Sequence, residues 1–324
     1  MPDAKPIHYR ILDRSSLDDR RVERERVIAG LLDSPAHIAP RYFYDDLGCA
    51  LYGAICRLPE YYPTRTEVEL FRDHRADIAQ AVGEGRQFVD LGAGDCCKAL
   101  AWLPFLNPAR YIAVDIAGTE IERALARMGP DFPEIEMIGV VADFSGGLPI
   151  DDVLDARPAT FFYPGSSIGN FTPAGALEFL KTIRAQCAAR PGSGLLIGVD
   201  GKKAKHLLDS AYDDALGVTA AFNRNVLLHL NARFGFDFDH AAFRHVGFYN
   251  EREGRVEMHL EALRDQSVRL GDRTRRFVAG ERIHTENSYK YRATEFERVL
   301  RLAGFASVLH WSSADDGYFV FYAS

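Results

Sequence analysis

The chain lacks what secreted, membrane-bound or polyanion-binding proteins need. Its five cysteines, Cys49, Cys56, Cys96, Cys97 and Cys187, are an odd number without zinc-type spacing, which argues against a disulfide framework and for a reducing compartment. No apolar run approaches the length of a bilayer span. The first apolar pair, Ile11 and Leu12, gives way at once to the charged stretch Asp13 to Arg26, unlike a secretory leader. A basic surplus is missing too: 39 Lys and Arg stand against 46 Asp and Glu, a net charge of −7, so nothing neutralises a phosphate backbone or an anionic membrane. His206, His229, His240 and His245 are scattered, giving no metal cluster. The expectation is a cytoplasmic, monomeric protein with a small-molecule partner, without nucleic acid, membrane or metal.

What is present is a core. With 324 residues, 47% of them hydrophobic, the chain can form one large domain or two smaller ones. Short apolar runs alternate with amphipathic stretches, the pattern of parallel strands joined by crossover helices. The strands are Gln87 to Leu91, Tyr111 to Asp115, Ile135 to Val141, Ala159 to Tyr163 and Gly194 to Asp200. Helices are expected at Cys97 to Leu106, Thr119 to Met128 and Pro173 to Ala188, the last capped by Thr172. A helix near Thr294 to Leu302 and a hairpin of Ala306 to Trp311 with Tyr318 to Tyr322 should close the sheet edge. Between Lys202 and Glu281 the alternation stops. Helical periodicity from Ala204 to about Leu230 and polar strands at Arg244 to Tyr249 and Arg255 to Leu263 predict an inserted lobe, which a charged helix from Leu17 to Leu32 is expected to join. The fold class is α/β, a Rossmann-like sheet with an inserted α+β substrate-binding lobe. Its expected parts are 1–62 (joining the lobe), 63–201 (core), 202–284 (lobe) and 285–324 (return to the core).

The sharpest local signal is Val89-Asp90-Leu91-Gly92-Ala93-Gly94-Asp95, a strand entering a glycine turn that opens a helix. Glycines there let a ligand approach the backbone. Cys97 stands where a dinucleotide fingerprint wants its third glycine, which disfavours a nicotinamide oxidoreductase. The segment resembles the class I methyltransferase signature for S-adenosylmethionine. Asp115 ends the second strand, where a carboxylate can accept both ribose hydroxyls. Asp143 and Phe144 follow the third, where members of that class hold the adenine. Lys98 is placed to reach the methionine carboxylate.

After the fourth strand comes Pro164-Gly165-Ser166-Ser167-Ile168-Gly169-Asn170, at the sheet edge where α/β ligands bind. The Asn170 oxygen can accept a hydrogen bond from an amine nucleophile without the charge that would keep an ammonium protonated.

Longer motifs then resemble the histidine-specific Nα-methyltransferases of ergothioneine biosynthesis. They are Tyr42-Phe43-Tyr44-Asp45, the stretch from Arg57 to Glu67, Gly165 to Asn170, and Ala211 to Asn225. The resemblance implies that Tyr61, Tyr212 and Asn170 grip the substrate's α-carboxylate and amine beside Gly165, with Tyr44 near the amine. It also implies that Glu286 accepts an imidazole N–H, that Ser288 serves the other ring nitrogen, and that Met258 packs on the ring. Departures are Asn287, where relatives carry an apolar residue, and Tyr52 in place of phenylalanine. The alternatives are an Nα-methyltransferase for tryptophan or another amino acid, and a non-catalytic S-adenosylmethionine sensor.

Overall fold

The computed structural model describes residues 9–14, 20–144 and 146–324. Its strands are β1 (Tyr9–Asp13), β2 (Ala36–His37), β3 (Gln87–Leu91), β4 (Arg110–Asp115), β5 (Glu136–Val141), β6 (Ala159–Tyr163) and β7 (Gly194–Asp200). They continue with β8 (Phe243–Asn250), β9 (Arg255–Ala262), β10 (Gln266–Leu270), β11 (Arg273–Phe277), β12 (Arg282–Tyr289), β13 (Val308–Ser312) and β14 (Tyr318–Ala323). Eight of them form one sheet in the order β1-β5-β4-β3-β6-β7-β14-β13. Every residue of β3, β6 and β7 is buried, as in parallel strands covered on both faces, and this is why those segments read as continuous apolar runs. β14 runs antiparallel to both β7 and β13. The chain winds outward from β3 in both directions, so the crevice beyond the carboxyl end of β3 is a topological switch point. This is the Rossmann-like α/β sheet, closed by its edge hairpin.

Two helical expectations are corrected. Cys97 to Leu106 is two short helices, Cys97–Leu100 and Leu103–Leu106, because Pro104 has no N–H to continue the ladder. The stretch from Ala204 is likewise two helices, Lys205–Tyr212 and Val218–Phe234. Between them Asp214 accepts from the backbone N–H of Val218 (3.0 Å) and of Thr219 (2.7 Å), starting the second helix afresh. The charged N-terminal helix is Arg20–Leu32, and the expected first turn from Leu17 lies outside the described residues. Strand β1, paired parallel with β5, was not expected, since Tyr9–Asp13 is short and half-exposed. By contrast the cap at Thr172 is present, accepting from Gly175 N at 3.1 Å.

A second sheet has the order β2-β12-β9-β8. Its core draws on two distant stretches, including Val27, Ile28, Leu31 and Phe43 from one and Leu208, Val226, Leu260 and Ile283 from the other. The register of β12 on β9 shifts between His284 and Glu286, and such a bulge turns subsequent side chains to the opposite face. Ile283, Glu286 and Ser288 are therefore all buried. The boundary expected between 284 and 285 falls within β12, and a bridge from Gly201 to Tyr291 ties that end of the strand to the end of β7. No helix among the described residues is long and apolar enough to cross a membrane.

Candidate active site

The glycine turn after β3 is tied to the end of β4. Gly92 N donates to Val114 O at 2.8 Å, and Gly94 N donates to the Asp115 carboxylate at 2.9 Å. The other Asp115 oxygen accepts from Ala117 N at 2.9 Å, fixing the carboxylate at the switch point. Gly92 and Gly94 hold φ of +70° and +52°, the left-handed region that favours glycine. A Cβ on Gly94 would meet nothing within 4 Å, so the turn borders open space. Phe144 lies over it, with its ring 4.0 Å from the Cβ position of Gly92. The open glycine turn, the fixed carboxylate and the aromatic wall fit an adenosyl ligand.

Other residues of this group are engaged elsewhere. Asp90 is buried and accepts from Tyr111 Oη at 2.8 Å, and burial pushes its carboxyl up to about 7. Asp143 pairs with Arg41 at 2.6 Å, which bridges the N-terminal segment to the loop after β5. Lys98 does not stand free: its Nζ pairs with buried Glu67 at 2.6 Å. Glu67 also accepts from Gly165 N at 2.6 Å and from Tyr318 Oη at 2.7 Å. This buried carboxylate, unassigned from sequence, fixes the loop that begins the substrate side.

That loop carries Gly165 and Ser166 at φ of +79° and +57° into the turn Ser167–Asn170. A Cβ on Gly169 would sit 2.8 Å from the Tyr289 carbonyl, so the turn packs backbone to backbone on β12. The close approach delivers Asn170, whose Nδ2 donates to Glu286 Oε1 at 3.1 Å. Its Oδ1 is left as the acceptor.

Asn170 and Glu286 share one pocket with Tyr44, Tyr61, Tyr212, Met258 and Ser288. Met258 is the cross-strand partner of Glu286, so the two side chains are neighbours on one face. Burial pushes the Glu286 carboxyl up to about 7, although Lys290 and Asn170 pull the other way. Tyr44 and Tyr61 are held well above their ordinary range by burial, so both remain neutral phenols. Tyr61 and Tyr212 meet edge to face at 6.1 Å, and Tyr44 meets Tyr52 and Phe222 at 5.9 and 6.0 Å. Aromatic surface thus surrounds a carboxylate, an amide and the hydroxyls of Tyr44, Tyr61, Tyr212 and Ser288.

Beneath the pocket lies a charged layer. Ser288 Oγ accepts from Tyr212 Oη at 2.8 Å. Lys290 Nζ donates to Ser288 Oγ (2.8 Å) and Tyr212 Oη (3.0 Å), and pairs with Asp200 at 2.8 Å. Both ions of that pair are fully buried. Asp200 also pairs with Lys203 at 2.5 Å and accepts from Tyr62 Oη at 2.7 Å. The facing cations hold its carboxyl below the ordinary range against the effect of burial, and Asp200 in turn holds Lys290 charged. Lys290 and Asp200 were not singled out from sequence, although Glu286, Ser288 and Lys290 recur with the period of two that marks one face of a strand.

His245, expected at the surface or in packing, is buried behind Tyr212. Its Nδ1 meets Asn223 Nδ2 at 2.8 Å and its Nε2 meets the Tyr212 carbonyl at 2.8 Å. Because the amide nitrogen and the carbonyl have fixed polarity, the Nε2–H tautomer satisfies both.

The chain is similar to known proteins over nearly its whole length. Residues 23–324 match the family described as histidine-specific methyltransferase, SAM-dependent. A histidine N-alpha-methyltransferase of Mycolicibacterium smegmatis is 40% identical, over 91% of this chain and 92% of the relative. One from Mycobacterium tuberculosis is 37% identical, over 89% and 90%. Ergothioneine biosynthesis protein 1 of Neurospora crassa is 30% identical over 88% of this chain, which spans 33% of that longer protein. With the sheet, the glycine turn and the family match in agreement, this chain belongs to the SAM-dependent histidine-specific methyltransferases.

Proposed function

We propose that this chain methylates the α-amine of free L-histidine stepwise to Nα,Nα,Nα-trimethylhistidine, hercynine, for ergothioneine biosynthesis, in the cytoplasm and as a monomer. The observation that carries the substrate choice is Glu286, buried across from Met258 with Ser288 on the same face. Those groups offer a ring an acceptor, a thioether surface and a hydroxyl. S-adenosylmethionine supplies an electrophilic methyl group on its sulfonium. The Gly92–Gly94 turn and Asp115 hold the adenosyl part, with Asp143 and Phe144 at the adenine and Lys98 toward the methionine end. Residues 62–201 and 290–324, with strand β1, form the cofactor-binding core, and 20–61 with 202–289 form the substrate lobe.

The protein's task is alignment and water exclusion, since an in-line displacement needs no covalent intermediate. Asn170 has one amide arm fixed on Glu286, which leaves its oxygen to orient the amine. Only the neutral amine is nucleophilic, and uncharged acceptors on Asn170 and Tyr44 do not oppose proton loss as a carboxylate would. Tyr61 donates to the α-carboxylate, and Tyr212, whose hydroxyl hydrogen is spent on Ser288, walls that end of the pocket. The tyrosine faces stabilise the growing quaternary ammonium.

The test is incubation with S-adenosylmethionine and each free amino acid in turn, followed by mass spectrometry. Three successive methyl additions to histidine are expected. Methylation of another amino acid with histidine untouched would overturn the assignment.

A further inference from the structure

We propose that Lys290, a residue outside the pocket lining, sets the hydrogen-bond polarity of the Ser288–Tyr212 pair and so makes the pocket select a ring that carries one donor and one acceptor nitrogen. The inference rests on the histidine reading above and assigns a positioning residue to it.

The argument is a count of hydrogens. An ammonium has three N–H donors and no acceptor. Around Lys290 Nζ stand three oxygens, on Asp200 (2.8 Å), Ser288 (2.8 Å) and Tyr212 (3.0 Å). Both ions of the pair are fully buried, so each N–H is committed to one oxygen. Ser288 Oγ and Tyr212 Oη lie 2.8 Å apart and own two hydroxyl hydrogens, one of which is spent between them. Whichever hydroxyl donates in that bond, one hydrogen remains, and both residues line the pocket. With Tyr212 as the donor, both lone pairs of Ser288 Oγ are filled, by Tyr212 and by Lys290, so Ser288 meets the pocket as a donor only.

Glu286 presents the opposite polarity. Oε1 is bonded by Asn170, and the carboxylate offers its other oxygen as an acceptor. A fixed acceptor beside a fixed donor matches a neutral imidazole, with one N–H and one bare nitrogen. An indole or pyrrole satisfies Glu286 and leaves the hydroxyl unmet. A ring with two N–H groups confronts donor with donor. Without the lysine, the hydroxyls regain acceptor capacity and can turn either way.

The test compares Lys290→Met with the wild-type enzyme on two substrates, L-histidine and 3-(pyrrol-2-yl)alanine, a ring that keeps an N–H and lacks the bare nitrogen. The wild-type enzyme is expected to favour histidine by roughly 10- to 100-fold in kcat/KM, the consequence of one unmet buried hydrogen bond. In Lys290→Met that ratio should shrink to within about threefold, mostly through KM. Asp200→Asn/Lys290→Met, which removes both charges of the buried pair, should show the same collapse, so that lost folding is not mistaken for lost selectivity. Thermal stabilisation by S-adenosylhomocysteine checks that each variant retains its cofactor site. A merely structural lysine would lower activity on both substrates alike and leave the ratio intact. An undiminished ratio in a folded variant overturns the role of Lys290 alone, whereas a wild-type enzyme that ignores histidine overturns the functional reading.

Discussion

Replacing Glu286 by glutamine should make the free protein more stable and the enzyme worse. The carboxyl is buried and its affinity for a proton is raised from the ordinary 4.5 to about 7. A group raised in this way stabilises the fold fully below pH 4.5, and the contribution is lost as pH climbs through 7. At pH 8 the carboxylate stays charged in the pocket, which by linkage costs about 3 kcal/mol relative to a group without the shift. Glutamine carries no charge, and its oxygen can still accept from Asn170 Nδ2, so most of that cost should disappear. The benefit should shrink as pH falls from 8 to 5. Binding moves the other way. With the amide oxygen held by Asn170, the amide NH2 faces the ring N–H, and the charge-assisted bond to histidine is lost. Such a bond contributes ~1.5–3 kcal/mol, or roughly 10- to 100-fold in Kd. Urea unfolding of the free protein at pH 5 and pH 8, with calorimetry of histidine binding in the presence of S-adenosylhomocysteine, measures both effects. A variant that binds histidine as tightly as the wild type, or that gains no stability at pH 8, would refute the reasoning.

Asn170→Ala should lower kcat at saturating histidine by at least about tenfold, because its task is to orient the amine; an effect on KM alone, measured by initial rates, would reassign it to binding. Asp115→Asn should weaken S-adenosylhomocysteine binding by roughly 10- to 100-fold in calorimetry, since one of two oxygens already held by Gly94 and Ala117 becomes a donor. Gly169→Ala would drive a methyl to 2.8 Å from the Tyr289 carbonyl. It should separate the Asn170 turn from β12 and cost about 1–3 kcal/mol in denaturant unfolding, together with activity.

The sheet was legible because its strands are buried on both faces. Gln87–Leu91, Ala159–Tyr163 and Gly194–Asp200 have the bounds that their apolar runs suggest. Edge strand β1 was not, since half-exposed residues leave no such run, and the helix breaks at Pro104 and Asp214 were overridden by a periodicity that continues across them. At the site, Glu286 and Met258 lie far enough apart in sequence that only the resemblance joined them, and the register of β12 on β9 is what makes them neighbours. Lys290 stayed hidden because a lone lysine reads as a solvated one, and what buries it is the end of β7, some ninety residues earlier in the chain.

The two-part core of the substrate lobe has a consequence for assembly. Val27–Tyr61 and Leu208–Ile283 must meet to bury their shared apolar residues, and the intervening chain contains most of the parallel sheet. Closing so long a loop is entropically unfavourable until that sheet has shortened it by folding. The cofactor crevice is therefore expected to form first and to act as the template on which the histidine pocket closes, so a chain arrested midway would hold a nucleotide-type cleft with no place for an amino acid.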